Sequence, residues 1–147
     1  MRILALVPFL WSAPALAGTS VTLSSMSVNG MELRDVTCEL TTGGMFASMA
    51  VTAEIANQKP AYDACRPEGG AFSMSWTWAD GKTTDATVKA SSHEPANGCM
   101  ITALSAIESS QSGTCTATLL VGDAAGAASA YPLVPSGVAP AEQPPEN

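Results

Sequence analysis

The residues with the richest potential chemistry are four cysteines and one histidine. Cys38, Cys65, Cys99 and Cys115 include no Cys-x-x-Cys pair, and His93 is the single histidine. In a cytosolic protein such cysteines would first indicate metal or thiol chemistry, whereas in an oxidising compartment an even number predicts disulfides. The spacing therefore favours two disulfides, with three pairings open at this point.

His93 and Glu94 are the one adjacent pair that could act as base and orienting carboxylate, or bind a metal. The sequence holds no Gly-x-Ser-x-Gly, no His-Glu-x-x-His and no phosphate-binding loop to support such a role. We therefore predict no catalytic residue and no cofactor. A small secreted hydrolase or metal-dependent enzyme that uses His93 is the alternative hypothesis.

Four methionines allow a second metal hypothesis, because thioether sulfur selects Cu(I). They are Met45, Met49, Met74 and Met100. Methionine also fills irregular gaps in small cores. The spacing of Met45 and Met49 on one helical face with Phe46 favours the core, and a copper-handling protein remains the alternative.

The strongest pattern in the chain is the alternation from Ala71 to Trp78. Large apolar residues alternate there with serine and threonine, and they are Phe72, Met74, Trp76 and Trp78. This pattern predicts a strand with one face on a core. Any part of that face left uncovered by helices would make Trp76 and Trp78 an interaction surface. A free edge strand, at Thr114 to Val121 or at Val21 to Val28, offers a second contact route by strand addition.

The first seventeen residues predict export. Arg2 precedes an apolar run from Ile3 to Trp11, and Ala15-Leu16-Ala17 has the small-x-small form of a signal-peptidase site. The run is shorter than the roughly 20 residues that span a bilayer, and no later segment is longer and as apolar. We expect an exported protein, periplasmic or extracellular, without an integral membrane segment.

The charge composition excludes one class of partner. Six Lys and Arg face thirteen Asp and Glu, which gives a net charge of −7. No basic cluster is present to displace the counterions of a phosphate backbone, so nucleic-acid binding is disfavoured.

The remaining elements follow from periodicity and turn residues. Two strands flank Asn29-Gly30, with a bulge expected near Arg34-Asp35. A helix begins near Met45. Its predicted buried face is Phe46, Met49, Ala50 and Ala53, with Val51 and Ile55 as a second stripe. At Pro60 this helix either kinks or gives way to a second short helix that carries Tyr62 and Cys65.

The second half of the chain completes one domain. Asp80-Gly81 joins the tryptophan strand to a strand from Thr84 to Ala90, a helix carries Cys99, and a last strand runs from Cys115 to Val121. We predict a single α+β domain over residues 18–121, a small antiparallel sheet packed against two helices. Residues 122–147 are rich in Ala, Gly and Pro and predict a poorly ordered tail.

The stretch from Tyr62 to Val121 resembles the TonB C-terminal-like domain of myxobacterial gliding-motility and related envelope proteins. The resemblance lies in Ala64-Cys65 at a helix end, Asp80-Gly81-Lys82 between two strands, Val88 to Ser92 closing the hairpin, and Cys99 before Ala103-Leu104 in a helix. It implies the order helix, hairpin, helix, strand, with Cys65 and Cys99 joining the two helices.

Among the three disulfide pairings we therefore favour Cys65 with Cys99, helix to helix, and Cys38 with Cys115, strand to strand. The activity that the resemblance implies is contact with an envelope protein partner rather than catalysis. The oligomeric state is left open.

Overall fold

The computed structural model describes residues 18–133. The predicted signal peptide, Met1–Ala17, and residues 134–147 of the predicted tail lie outside this range. The described chain forms a five-stranded antiparallel sheet with four α-helices and two disulfides, which confirms the predicted α+β fold stapled by two disulfides.

The sheet is built from two hairpins and one strand that joins them. Asn29-Gly30 and Asp80-Gly81 form the two hairpin turns, and all four residues adopt the positive φ that a two-residue turn requires. The strand order is β1-β2-β5-β3-β4. The strands are β1 (Thr19–Val28), β2 (Met31–Thr42), β3 (Gly70–Ala79), β4 (Lys82–Ser91) and β5 (Ser112–Val121).

The last strand, β5, is central in the sheet because it pairs with β2 on one side and β3 on the other. The prediction that it could be a free edge is wrong. Cys115 of β5 lies opposite Cys38 of β2, and these two residues form one disulfide. At Gly113 the strands approach so closely that a Cβ atom would lie 2.1 Å from the carbonyl oxygen of Glu39, so only glycine fits.

The bulge predicted near Arg34-Asp35 is confirmed. The register between β2 and β5 shifts between Arg34 and Thr37, and Asp35 has a φ of 49°. The residues of β2 that face the core therefore change from odd-numbered to even-numbered positions between Leu33 and Val36. Both of these residues are fully buried.

The helices are α1 (Ala47–Ala56), α2 (Lys59–Cys65), α3 (Asn97–Ser105) and α4 (Ala124–Ala130). Pro60 lies in the first turn of α2, where its missing N–H costs nothing, so the chain starts a second helix instead of kinking. A disulfide between Cys65 and Cys99 joins α2 to α3. The favoured cysteine pairing is thus confirmed for both disulfides.

The buried side of α1 differs from the predicted one. Val51 and Ile55 are fully buried, whereas Phe46 and Met49 are 69% and 61% exposed. The stripe expected to be secondary is the one that packs on the sheet, because β-branched Val51 and Ile55 lie in the same core cluster as Val36. The predicted face therefore points to solvent.

Residues 122–133 belong to the described structure, although the sequence assigned them to the tail. Asp123 caps α4 by accepting a hydrogen bond from the backbone N–H of Gly126. A Cβ atom at Gly126 would lie 2.0 Å from the carbonyl oxygen of Glu68, so this small residue lets α4 lie against the turn before β3. Tyr131 then donates a hydrogen bond to Asp35.

Candidate interaction site at the sheet edge

The histidine predicted as a candidate base lies directly before a short 3₁₀ turn, Glu94–Ala96. His93 is partly exposed and Glu94 is exposed. Within residues 18–133, no three His, Cys, Asp or Glu side chains lie close enough together to hold a metal ion. In the described part of the chain, His93 therefore belongs to no such three-residue cluster.

The four methionines of the copper hypothesis lie in two different environments. Met74 and Met100 are fully buried in the core, whereas Met45 and Met49 are 91% and 61% exposed. The prediction that Met45 and Met49 belong to the core is wrong, because α1 turns the opposite stripe toward the sheet.

Trp76 and Trp78 belong to the core and are not an interaction surface. They are 2% and 1% exposed, and their rings meet edge to face at 5.7 Å between centroids. The Nε1–H of Trp78 donates to Oγ1 of Thr83 at 2.9 Å, and this hydroxyl donates to the carbonyl oxygen of Ile107 at 2.8 Å. The candidate surface at these two residues is corrected accordingly, because both side chains are buried in the core.

The opposite face of the sheet carries rows of hydroxyl side chains. Residues that lie directly opposite each other form two rows across all five strands. The row members on β2, β3 and β5, together with Thr87 of β4, line a shallow depression of about 410 Å³. One row is Thr22, Thr37, Thr116, Ser75 and Thr87; the other is Ser20, Glu39, Thr114, Thr77 and Thr84. Threonine is a good strand former on a solvated face, which accounts for most of these positions.

The two edges of the sheet differ in how they resist pairing with another chain. Strand β4 carries Lys82, Asp85 and Lys89, and its pairing with β3 has two register shifts. Charges and bulges of this kind are common protection for an edge strand. The β4 edge is therefore poorly suited to accept a further strand.

Strand β1 has none of this protection. Its ten residues include no charged residue and no proline, and its register with β2 continues without a shift from Thr19 to Val28. Among the described residues β1 pairs only with β2, so its outer backbone N–H and C=O groups face away from the sheet. These groups can bind an extended polypeptide.

A small apolar patch at the start of α1 is formed by Met45, Phe46 and Met49, and Met45 is the member that lies next to the first half of β1. These are the large apolar side chains most exposed in the described chain, at 91%, 69% and 61%. A crevice of about 240 Å³ separates the patch from β1 and is lined by residues 19–23, 44–45 and 47–48. We call this patch together with β1 the edge site.

The sequence had predicted one part of the edge site, the free strand, and missed the other. Met45 and Phe46 precede the helix, where helical periodicity no longer fixes direction. The signal available for β1 was the run of ten residues without charge, proline or glycine.

No helix in residues 18–133 is long and apolar enough to cross a bilayer. Comparison with protein-family models, with curated proteins and with solved structures finds no significant match to this chain. The resemblance to a TonB-like domain therefore stays a prediction.

Proposed function

We propose that the protein is an exported, non-catalytic domain that binds another polypeptide by strand addition at the edge site. The observation that carries this proposal is the unprotected edge of β1 beside an exposed apolar patch. The chemistry of the site is that of backbone amides, thioethers and one aromatic ring. Such groups bind an extended chain and supply no acid, base or nucleophile.

The hydrogen-bonding geometry of β1 selects an extended polypeptide as partner. About half of the backbone groups of an edge strand face outward, in pairs spaced for a second strand. Each hydrogen bond formed there contributes a net of about 0.5–1.5 kcal/mol, so a segment as long as β1 gains useful affinity from backbone contacts alone.

The apolar patch adds affinity and direction to this contact. A strand placed beside β1 would set alternate side chains on the side of the sheet where α1 packs, next to Met45. Burying one such side chain fully contributes about 1.5–3 kcal/mol. Met45 lines the crevice together with residues 19–23, so it favours placement of the incoming strand along that half of β1.

Export is supported by the cysteines. All four are joined in two disulfides, and structural disulfides persist in oxidising compartments. The predicted signal peptide points the same way. The order α2, β3, β4, α3, β5 is also the order that a TonB-like domain implies, and in such domains the activity is protein contact.

A defined peptide tests the proposal. The probe has the length of β1, alternates Leu with Ser, and carries a neutral solubilising tag and a fluorophore. We expect saturable binding by fluorescence anisotropy, together with slower amide exchange in residues 19–28 and unchanged exchange in residues 82–91.

Two matched variants locate the contact. Thr22 and Thr87 are exposed and end the same hydroxyl row, on β1 and β4 respectively. Thr22→Lys should weaken binding by about tenfold or more, since lysine opposes pairing at an edge, and Thr87→Lys should leave it unchanged. Equal effects of the two variants, or binding with no change in exchange along β1, would refute strand addition at this edge.

A further inference from the structure

We infer that the natural partner segment is an amphipathic basic strand, with apolar side chains on one face and Lys or Arg on the other. This inference rests on the proposed function, because it describes the strand that would pair with β1. It follows from the different surroundings on the two sides of the sheet along this edge.

On the helix side, the edge site is apolar. Met45, which is 91% exposed, lines the crevice that borders β1, together with Val21, Leu23 and Ala47. Thioether side chains adapt to the shapes of different apolar neighbours, so this side accepts alternate Leu, Val, Met or Phe residues without demanding one of them.

On the opposite side, β1 presents only small hydroxyl side chains, and the next strand presents an unneutralised carboxylate. Ser20 and Thr22 are exposed there, and Ser20 lies directly opposite Glu39 of β2. Glu39 is exposed and accepts a hydrogen bond from Ser20, but it forms no ion pair within residues 18–133. A cationic side chain therefore has an open anionic target across β1.

Two basic residues lie on the same face of the sheet, and neither is paired with Glu39. Arg34, also on β2, pairs with Glu32, and Lys89 lies on β4 across the depression that Glu39 also lines. Adjacent strands lie about 4.8 Å apart, so a strand added to β1 would be two strand spacings from Glu39. The small serine side chain between them leaves the space above β1 open to a long Lys or Arg side chain.

The charge of the whole protein acts in the same direction. Thirteen acidic residues against six basic ones give a negative field that accelerates encounter with a basic segment and repels an acidic one. This effect works at longer range than the contact with Glu39 and adds to it.

Two other occupants of the edge fit less well. A second copy of the chain would bring another β1, which has no Lys or Arg, and the two acidic molecules would repel each other. Residues 134–147 of the same chain contain four prolines, two glutamates and no basic residue, so four of their backbone N–H groups are missing and their charge is opposite to the one that the edge selects.

Three peptides of the length of β1 test the inference, in which Leu alternates with Lys, with Ser or with Glu. We expect affinities in the order Lys, Ser, Glu, with about tenfold between the Lys and Ser peptides at low ionic strength and a smaller ratio at high salt. Glu39→Gln should remove several-fold of the advantage of the Lys peptide and leave the Ser peptide unchanged. Asp85→Asn on β4 is the matched control and should change neither.

The outcomes separate the two proposals. Equal binding of all three peptides, with slower exchange along β1, would overturn the charge preference and leave strand addition intact. A Lys peptide with N-methylated central amides cannot form the backbone hydrogen bonds of an added strand. If it bound as tightly as the parent Lys peptide, binding would be purely ionic and the inference would be overturned. A stable dimer by analytical ultracentrifugation, with exchange along β1 already slow without peptide, would identify a second copy as the occupant.

Discussion

Removing the two disulfides one at a time should destabilise the protein by different amounts, because one is buried within the sheet and the other lies near the surface. Cys38 and Cys115 are 0% and 2% exposed, whereas Cys99 is exposed and Cys65 is partly buried. The two perturbations are the double variants Cys38→Ala/Cys115→Ala and Cys65→Ala/Cys99→Ala.

The magnitudes follow from loop length and burial. The disulfides close loops with sequence separations of 77 and 34 residues. Loop-closure entropy gives about 4.5 kcal/mol for the longer loop and about 3.8 kcal/mol for the shorter one. Loss of the two buried sulfur atoms adds about 2 kcal/mol to the first variant. We therefore expect the Cys38–Cys115 variant to be less stable by about 2–3 kcal/mol than the other.

Urea unfolding followed by tryptophan fluorescence measures both free energies, because Trp76 and Trp78 are buried in the folded state. Limited reduction with dithiothreitol provides a second readout. Cys65–Cys99 should be reduced in the folded protein, and Cys38–Cys115 only after the sheet opens. If Cys38–Cys115 were reduced before Cys65–Cys99, or if its removal lowered the unfolding free energy by less, the assignment of Cys38–Cys115 as the buried disulfide would be refuted.

Two further predictions concern α1 and the tyrosines. Ile55→Ala should lower the unfolding free energy by about 2–5 kcal/mol, and Met49→Ala by less than about 0.5 kcal/mol, because only the first substitution leaves a cavity. If urea unfolding showed similar losses for the two variants, α1 would be oriented differently. Burial raises the pKa of Tyr62, and the hydrogen bond to Asp35 raises the pKa of Tyr131, so ultraviolet titration should show both phenols ionising above their usual pH. Because a raised folded-state pKa favours the neutral phenol, the stabilisation is complete below about pH 10 and is lost as pH rises through the folded-state pKa. Asp35→Ala should lower the pKa of Tyr131 alone, and an unchanged titration would contradict the hydrogen bond.

Local signals predicted much of this fold because they depend on neighbours in sequence. The alternation from Phe72 to Trp78 and the turn at Asp80-Gly81 specify a hairpin through backbone period and positive φ. The bulge at Asp35 was visible for a similar reason, since the apolar residues of β2 change parity there.

The place of β5 in the sheet could not be read in the same way. Its pairing with β2 joins residues about 80 positions apart, and no local pattern specifies such a partner. The run from Ala117 to Val121 is buried at every position, which is typical of a central strand and was the available clue.

The errors at α1 and α4 have different physical causes. In α1 nearly every residue is apolar or small, so periodicity alone could not choose between the stripe of Met49 and the stripe of Ile55. In α4 the composition of Ala124–Ala130 resembles a linker, but small side chains are what allow close approach to the turn at Glu68. The orientation of α1 and the position of α4 both depend on tertiary packing, which involves residues that are distant in the sequence.

The central position of the final strand also determines the order in which the molecule can be completed. A chain is synthesised from its N-terminus, so the β1–β2 and β3–β4 hairpins emerge first, and no described strand pairing joins them until residues 112–121 follow. Until then the chain offers Cys38 only Cys65 and Cys99 as intramolecular partners, and neither is its partner in the folded protein. A nascent chain that stops before β5 lacks the strand that pairs with both hairpins, so the strand made last is the one that joins them into a single sheet.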